Sequence, residues 1–178
     1  MWSRTLIRFD KTSAAVLLEH ALYTSRNQYI KSVLAGGDAN SYLAADLDPQ
    51  WQNRLHYFEQ EFASIAARAK EKNIRIVVVL VPSRGQAALV SRGHWDPQFD
   101  PYKLDNDMRQ IVVRNGGIYL DILPSYRSIP YAENGFYPVD GHPDADGHSV
   151  IAKLLVQQLT GGAIPALNAE KTTMDKGN

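Results

Sequence analysis

The sequence contains no cysteine among its 178 residues. This absence excludes a disulfide framework, a thiolate zinc site and a cysteine nucleophile. Neither sign of charge is in excess, since lysine plus arginine and aspartate plus glutamate both number 19. A dedicated nucleic-acid-binding protein normally carries a basic surplus, so the charge balance argues against a nucleic-acid partner.

Long apolar runs are also missing. No stretch reaches the roughly 20 apolar residues that a membrane-spanning helix needs, and the first residues, MWSRTLIRFDK, meet charges before an apolar core develops. The N-terminus therefore does not resemble a signal peptide, and taken literally the chain stays where it is made. Hydrophobic residues make up 44% and charged residues 21% of the chain, which is typical of one globular domain.

Helical periodicity is the strongest local pattern. Apolar residues recur at helical spacing from about 12 to 34, where Gly36 and Gly37 follow. Asp48 and Pro49 predict the N-cap and first position of a helix over roughly 49–72, whose apolar residues follow at steps of three and four. Two further helices are predicted, at about 101–114 and 146–159.

Two apolar runs predict strands. IRIVVVLV (74–81) is a continuous β-branched run, which predicts a strand buried on both faces of a parallel sheet. IYLDI (118–122) predicts a second buried strand, and TLIRF (5–9) is a weaker candidate. The alternation of helices and strands predicts an α/β fold, with three layers and a small, mainly parallel sheet. We divide the chain into an N-terminal helical segment (1–47), an α/β core (48–160) and a flexible tail (161–178), with an irregular aromatic-rich loop at 130–138.

The loop before the last predicted helix holds the densest group of ionisable side chains. Asp140 and His142 are two residues apart, so in an extended segment both side chains point the same way. A carboxylate on one imidazole nitrogen fixes the tautomer and leaves the other nitrogen free as a general base. Pro143 restricts the backbone just after the histidine. The alternative is a turn with solvated polar groups.

Other roles are open for the rest of this loop. Asp144 and Asp146 precede or begin a helix, which favours capping, and His148 fits packing or hydrogen bonding. A metal site made by His142, His148 and Asp144 is the chemical alternative. The calcium-loop template is excluded, because no glutamate stands at its twelfth position.

Residues elsewhere are weaker candidates. Ser83 follows the strand predicted at 74–81 and is a candidate nucleophile, with Arg84 beside it as a candidate substrate-binding residue. The alternative for Pro82-Ser83-Arg84 is the start of a helix or turn. His94, Trp95 and Tyr137 are candidates for lining a substrate groove, and packing of a long loop is the alternative.

One block resembles a known family. Asp140-Gly-His-Pro-Asp-Ala-Asp-Gly-His-Ser-Val-Ile-Ala, at the start of the last predicted helix, resembles the C-terminal catalytic block of SGNH (GDSL-type) hydrolases. VVVLVPSRGQ (77–86) and GIYLDILP (117–124) are similar to strand segments of some members, so the resemblance covers about residues 50–160. It implies ester hydrolysis or acyl transfer, for instance O-deacetylation of a carbohydrate. In that reaction Asp140 would orient His142, and His142 would deprotonate a serine.

The sequence departs from the family pattern in two places. One residue, Gly141, separates Asp140 from His142, where the family usually has two. The Gly-Asp-Ser nucleophile block and the Gly-x-Asn-Asp block are absent, and the nearest echo, Gly37-Asp-Ala-Asn40, has alanine in place of serine. We therefore expect this chain to correspond to the C-terminal part of such a hydrolase, unable to complete a serine site from its own residues.

These observations leave three hypotheses. The first is an SGNH-like esterase or acyl transferase that acts on a small-molecule or carbohydrate ester and needs no cofactor. The second is a noncatalytic domain that binds sugar or a protein partner on the same fold. The third is a metal-dependent hydrolase that uses the aspartate and histidine cluster.

Overall fold

The computed structural model describes residues 13–36 and 41–164, a mostly helical chain with a small parallel sheet. The segments at 5–9 and 37–40 and most of the predicted tail lie outside these residues. The helices are α1 (Ser13–Thr24), α2 (Arg26–Ala35), α3 (Pro49–Glu71), α4 (Arg84–Arg92), α5 (Lys103–Arg114) and α6 (Ala145–Gln158). The strands are β1 (Val77–Val79) and β2 (Ile118–Leu120), and shorter turns are the 3-10 helices Leu123–Ser128 and Ala132–Gly135 and the π-helical Leu159–Ala163.

Residues 12–34 do not form the single helix that their periodicity predicts. Ser25 is extended, with φ −81° and ψ 116°, and it separates α1 from α2. Tyr29 and Ile30 on α2 are buried, whereas Leu17 and Leu18 on α1 are exposed. The prediction of one helix was wrong because spacing alone cannot reveal a one-residue interruption that reorients the second helix toward the core.

The helix predicted from Asp48 and Pro49 is confirmed as α3. The Asp48 carboxylate accepts a hydrogen bond of 2.8 Å from the Trp51 backbone N–H, which caps the first turn. Phe62 is buried, and its ring lies so close to Gly117 that any Cβ on that glycine would overlap it. Because Gly117 has no side chain, the backbone can pass close to Phe62 of α3 just before β2 begins.

The sheet is parallel, as predicted, with Val77 opposite Ile118 and Val79 opposite Leu120. Both strands are shorter than predicted, and burial of β1 on both faces was wrong, because Ile74, Val77 and Val81 are exposed. Within the described residues the sheet has two strands. Among residues 13–36 and 41–164, β2 is the one strand paired with β1, and Val77 is left exposed.

Helix α4 occupies the centre of the core, since every residue from 84 to 90 is buried. Ser83 and Gln86 cap its start reciprocally, and Gly93, with φ 82°, ends it. One side of α4 packs on a cluster that includes Leu123, Tyr126 and Phe136, and the other side packs on Tyr29 and Leu43. Across the described ranges, no helix has the length and apolar character needed to cross a membrane.

Candidate functional site

The segment 135–144, which we call the His142 hairpin, is held in a closed conformation by backbone hydrogen bonds. Phe136 and Pro143 form an antiparallel bridge, and Tyr137 N–H donates to the His142 carbonyl at 2.9 Å. Gly141 has φ 74°, a conformation that favours glycine, and its N–H donates to the Tyr137 carbonyl at 3.0 Å. The hairpin thus presents residues 138–142 at a fixed tip.

Asp140 and His142 meet at this tip. One oxygen, Asp140 Oδ1, accepts a 2.8 Å hydrogen bond from His142 N–H and lies 3.3 Å from His142 Nδ1. The side chains are 62% and 81% exposed, respectively. The two side chains meet across a turn, since Gly141 has a positive φ, and not along the extended segment from which their contact was predicted, so the geometry also fits the alternative of a turn with solvated polar groups. The carboxylate faces Nδ1, and Nε2 is the nitrogen left to act on an external group.

Arg84 anchors the hairpin from below and does not face a substrate. Its guanidinium donates to the Pro138 and Tyr23 carbonyls at 2.6 Å each and to the Glu133 carbonyl at 3.3 Å, and it lies 3.7 Å from the centroid of the Tyr29 ring. The residue is only 4% exposed. The prediction of Arg84 as a substrate-binding residue is therefore corrected, because its charge is buried and its donors are used within the fold.

A buried acidic residue completes this anchor. Glu133 is 1% exposed and pairs with Arg26 Nε at 3.1 Å, and Arg26 also lies 5.0 Å over the Tyr131 ring. Tyr131 itself has a positive φ of 52°. Sequence reasoning missed this group, because its members come from α2, α4 and the aromatic loop, and a lone glutamate in a loop carries no local signal of burial.

Ser83 acts as the N-cap of α4. Its hydroxyl accepts from Gln86 N–H at 3.1 Å and is 2.8 Å from the Tyr42 hydroxyl, and burial raises the pKa of Tyr42. In the part of the chain that the structure describes, no serine hydroxyl is hydrogen-bonded to His142. This geometry matches the helix-start alternative for Pro82-Ser83-Arg84.

The three groove candidates lie in two places. His94 and Trp95 follow the C-terminal end of α4, about 14 Å along the helix from Arg84. Trp95 packs edge-on against Tyr102, and His94 Nε2 receives a 3.0 Å hydrogen bond from Arg92. Tyr137 is exposed and lies on the His142 hairpin. Of the three, Tyr137 is the one brought to the site.

The remaining acidic and histidine residues of the loop have helix-start roles. Asp144 accepts a 2.9 Å hydrogen bond from Gly147 N–H and caps α6, as predicted. His148 lies in the first turn and donates its backbone N–H to the Asp144 carbonyl. Among residues 13–36 and 41–164, no three histidine or acidic side chains are grouped to hold a metal ion. His142, His148 and Asp144 therefore do not form a ligand set.

A second carboxylate pair lies where β2 ends. Asp105 is buried and accepts a 2.6 Å hydrogen bond from the Tyr119 hydroxyl. Asp121 lies beside Asp105, and the Oδ2 atom of Asp121 is 3.4 Å from Arg109 Nη1. Burial, opposed by the Tyr119 hydrogen bond and reinforced by Asp121, raises the pKa of Asp105 to about 6. The sequence signal was the aspartate that interrupts the apolar run IYLDI.

Comparison of the chain with protein-family models, with curated proteins and with solved structures gives no match.

Proposed function

We propose that this chain carries the general-base half of an ester hydrolase or acyl transferase of SGNH type. Its substrate is a small-molecule or carbohydrate ester, and its fold is the C-terminal part of a three-layer α/β/α arrangement. The observation that supports the proposal is the 3.3 Å separation between Asp140 Oδ1 and His142 Nδ1 on a braced hairpin. A fixed carboxylate–imidazole pair is what general-base activation of a hydroxyl requires.

The reaction uses the imidazole nitrogen that Asp140 does not face. His142 Nε2 accepts a proton from water or from a hydroxyl as that oxygen bonds to the ester carbonyl carbon. The ester C–O bond then breaks, and the proton passes from Nε2 to the departing alkoxide. Asp140 holds the imidazole in the tautomer with a proton on Nδ1 and stabilises the transient imidazolium.

The location of the pair also supports the proposal. Arg84 begins the helix that follows β1, and its guanidinium donates to the Pro138 carbonyl, which ties the hairpin to the segment after that strand. We infer that the hairpin belongs to the carboxyl edge of the sheet, where active sites of parallel sheets are built. Because Ser83 is engaged as a helix cap, the nucleophile is water or a hydroxyl from outside the described residues.

Hydrolysis of p-nitrophenyl acetate tests the general-base role. We compare the wild-type chain with His142→Ala, Asp140→Asn and His148→Ala, the last being a control for an exposed histidine that has no carboxylate partner among the described residues. We expect a slow rate above buffer that His142→Ala removes and Asp140→Asn lowers about tenfold or more, since removing an orienting carboxylate leaves the wrong tautomer available. His148→Ala should keep the rate.

Two outcomes would contradict this function. If His142→Ala and His148→Ala lose equal amounts of activity, His142 acts as any surface imidazole does, and the pair has no special role. If the wild-type rate equals that of buffer, the chain does not catalyse ester hydrolysis. Circular dichroism of each variant checks that the fold is retained.

A noncatalytic binding domain is the second candidate. The observation that favours it is that, among the described residues, the neighbours of His142 include no serine hydroxyl within hydrogen-bond distance. Exposed Tyr131 and Tyr137 near the hairpin offer ring faces on which sugars stack. Saturable changes in the NMR signals of these two tyrosines on titration with an oligosaccharide, together with no esterase activity, would favour the binding domain.

A further inference from the structure

Helix α5 and strand β2 present matching pairs of polar side chains to each other. Asp105 and Arg109 are four residues apart, so both lie on the same face of α5. Tyr119 and Asp121 are two residues apart, on β2 and just beyond it, and point to the same side. The Tyr119 hydroxyl donates to Asp105 at 2.6 Å, and Asp121 Oδ2 is 3.4 Å from Arg109 Nη1. The carboxyls of Asp105 and Asp121 therefore lie side by side, close enough for a hydrogen bond between them.

The donors around this pair do not suffice for two ionised carboxylates. Asp105 is 2% exposed, and Tyr119 supplies a donor to it. Asp121 Oδ1 is buried, and no donor among the described residues reaches it. A carboxyl group donates a hydrogen bond only when it is protonated. A proton held between the two carboxyls would therefore give the buried oxygen of Asp121 the partner that it lacks.

The charges around the pair also oppose a second negative charge. Among the described residues, Arg109 is the cation that faces the pair, and its side chain is half exposed. Tyr102 faces Asp121 as well, and burial raises the pKa of Tyr102, so this phenol is neutral. The ionisable groups of α3 lie at the opposite face of α5, in a groove lined by His56, Glu59, Asp107 and Arg114. Two ionised carboxylates would therefore repel each other beside one exposed cation.

We propose that Asp105 and Asp121 share one proton in the folded protein, and that this proton is a pH-sensitive latch between the first turn of α5 and the end of β2. The proton closes the contact while it is held. When it passes to water, the two like charges move apart and the first turn of α5 loosens from the strand. Gln158 of α6 donates to the Asp121 carbonyl at 3.2 Å, so the latch lies where three elements meet. The inference is independent of ester hydrolysis, because it involves neither Asp140 nor His142.

Carboxyl-carbon NMR of the full chain tests the shared proton. The signals of Asp105 and Asp121 should change together in one step near pH 6. Asp121→Asn should lower the Asp105 midpoint by about one pH unit or more, because the like charge is gone and an amide N–H can donate to the carboxylate. Tyr119→Phe should raise the midpoint, because it removes a donor that stabilises the carboxylate. Asp107→Asn, on the opposite face of α5, is the control and should leave the midpoint unchanged.

Hydrogen exchange tests the latch. The Asn106 N–H donates to the Tyr102 carbonyl at 2.8 Å in the first turn of α5. Its protection factor, which corrects for the faster intrinsic exchange at high pH, should fall about tenfold or more between pH 5 and 8. A tenfold change is what a midpoint one pH unit above the ordinary value implies. The decrease should be absent in Asp121→Asn, and the buried Val90 amide of α4 is the reference.

Three results would overturn the proposal. The first is two separate titration steps below about pH 5, since both carboxyls would then be ionised at neutral pH. The second is an Asp105 midpoint that Asp121→Asn leaves unchanged, which would assign the raised midpoint to burial alone. The third is constant protection of Asn106 across the pH range. If circular dichroism shows that Asp121→Asn is unfolded, Arg109→Met takes its place: loss of the facing cation should raise the midpoint, and an unchanged midpoint would contradict the proposal.

Discussion

Arg84 Nη1 lies 2.6 Å from the carbonyl oxygen of Pro138, two residues before Asp140. This contact joins the most buried helix of the protein to the loop that carries the candidate catalytic pair. The same guanidinium holds the carbonyls of Tyr23 and Glu133, so one side chain connects α1, α4 and the hairpin. The exposed pair at the tip therefore depends on a buried cation for its position.

Replacing Arg84 should destabilise the fold. Arg84→Met leaves three carbonyls without donors and removes a cation that faces the buried Glu133, which should cost on the order of 3 kcal/mol in the free energy of unfolding. Arg84→Lys should recover less than half of this loss, because one ammonium cannot reproduce the planar fork of donors. Urea unfolding followed by circular dichroism measures the differences. Arg92→Met, on the exposed end of the same helix, is the control and should change stability by about 0.5 kcal/mol or less.

A close approach of two glycines fixes the base of the hairpin against α6. A Cβ on Gly147 would overlap the carbonyl oxygen of Gly135, which also accepts from Asp144 N–H at 3.0 Å. Gly147→Ala must therefore push the hairpin from the helix, and we expect a loss of about 2–3 kcal/mol in thermal or urea unfolding. At Gly161 a Cβ would meet nothing within 4 Å, so Gly161→Ala should be neutral or slightly stabilising. Equal effects of the two substitutions would mean that the approach is not tight in solution.

The parts of the fold that could be predicted are those set by neighbouring residues. The N-cap signal of Asp48 and Pro49 and the stripe that follows are local, and α3 is found where they predict it. Asp140 and His142 are also close in sequence, and the turn at Gly141 brings them together, although the prediction assumed an extended segment. In both cases the relevant contact closes within one turn or one hairpin.

The start of helix α4 at Pro82-Ser83-Arg84 was predicted only as an alternative, and its extent could not be predicted for a physical reason. Its cap residues Ser83 and Gln86 are visible in the sequence, but the helix is buried on all sides and begins with Arg84 and Gly85, so it has no apolar stripe. The prediction that β1 is buried on both faces was wrong for a similar reason, because the burial of a strand depends on which strands lie beside it. The partners of Arg84 are up to 61 residues away, and no local pattern identifies them.

The Asp105 carboxyl should make stability depend on pH. Burial raises the pKa of Asp105 from its ordinary 3.8 to about 6, with Tyr119, Asp121 and Arg109 facing it. The folded chain binds this proton more tightly than the unfolded chain, so the contribution is full below about pH 4 and is lost as pH rises through 6. We expect a loss on the order of 2 kcal/mol between pH 4 and 7 that is absent in Asp105→Asn.

The measurement is urea unfolding of wild type and variant across this pH range, and the difference between the two isolates Asp105 from other titrating groups. Asp107→Asn, which removes the partner of Lys103 on the same helix, is the control and should keep the wild-type slope. A wild-type slope in Asp105→Asn would show that Asp105 is not the group responsible.

Ser83 should contribute to stability without taking part in ester hydrolysis. Its hydroxyl caps α4 through Gln86 N–H, so Ser83→Ala should cost about 1 kcal/mol, whereas Ser83→Asn keeps a capping oxygen and should lose only a few tenths. Rates with p-nitrophenyl acetate should match wild type for both variants, because the contacts of the hydroxyl are with Tyr42 and Gln86, and none is with His142. If the two variants show these stability losses and also lose the hydrolysis that His142→Ala removes, Ser83 is the nucleophile and the chain contains a complete catalytic site.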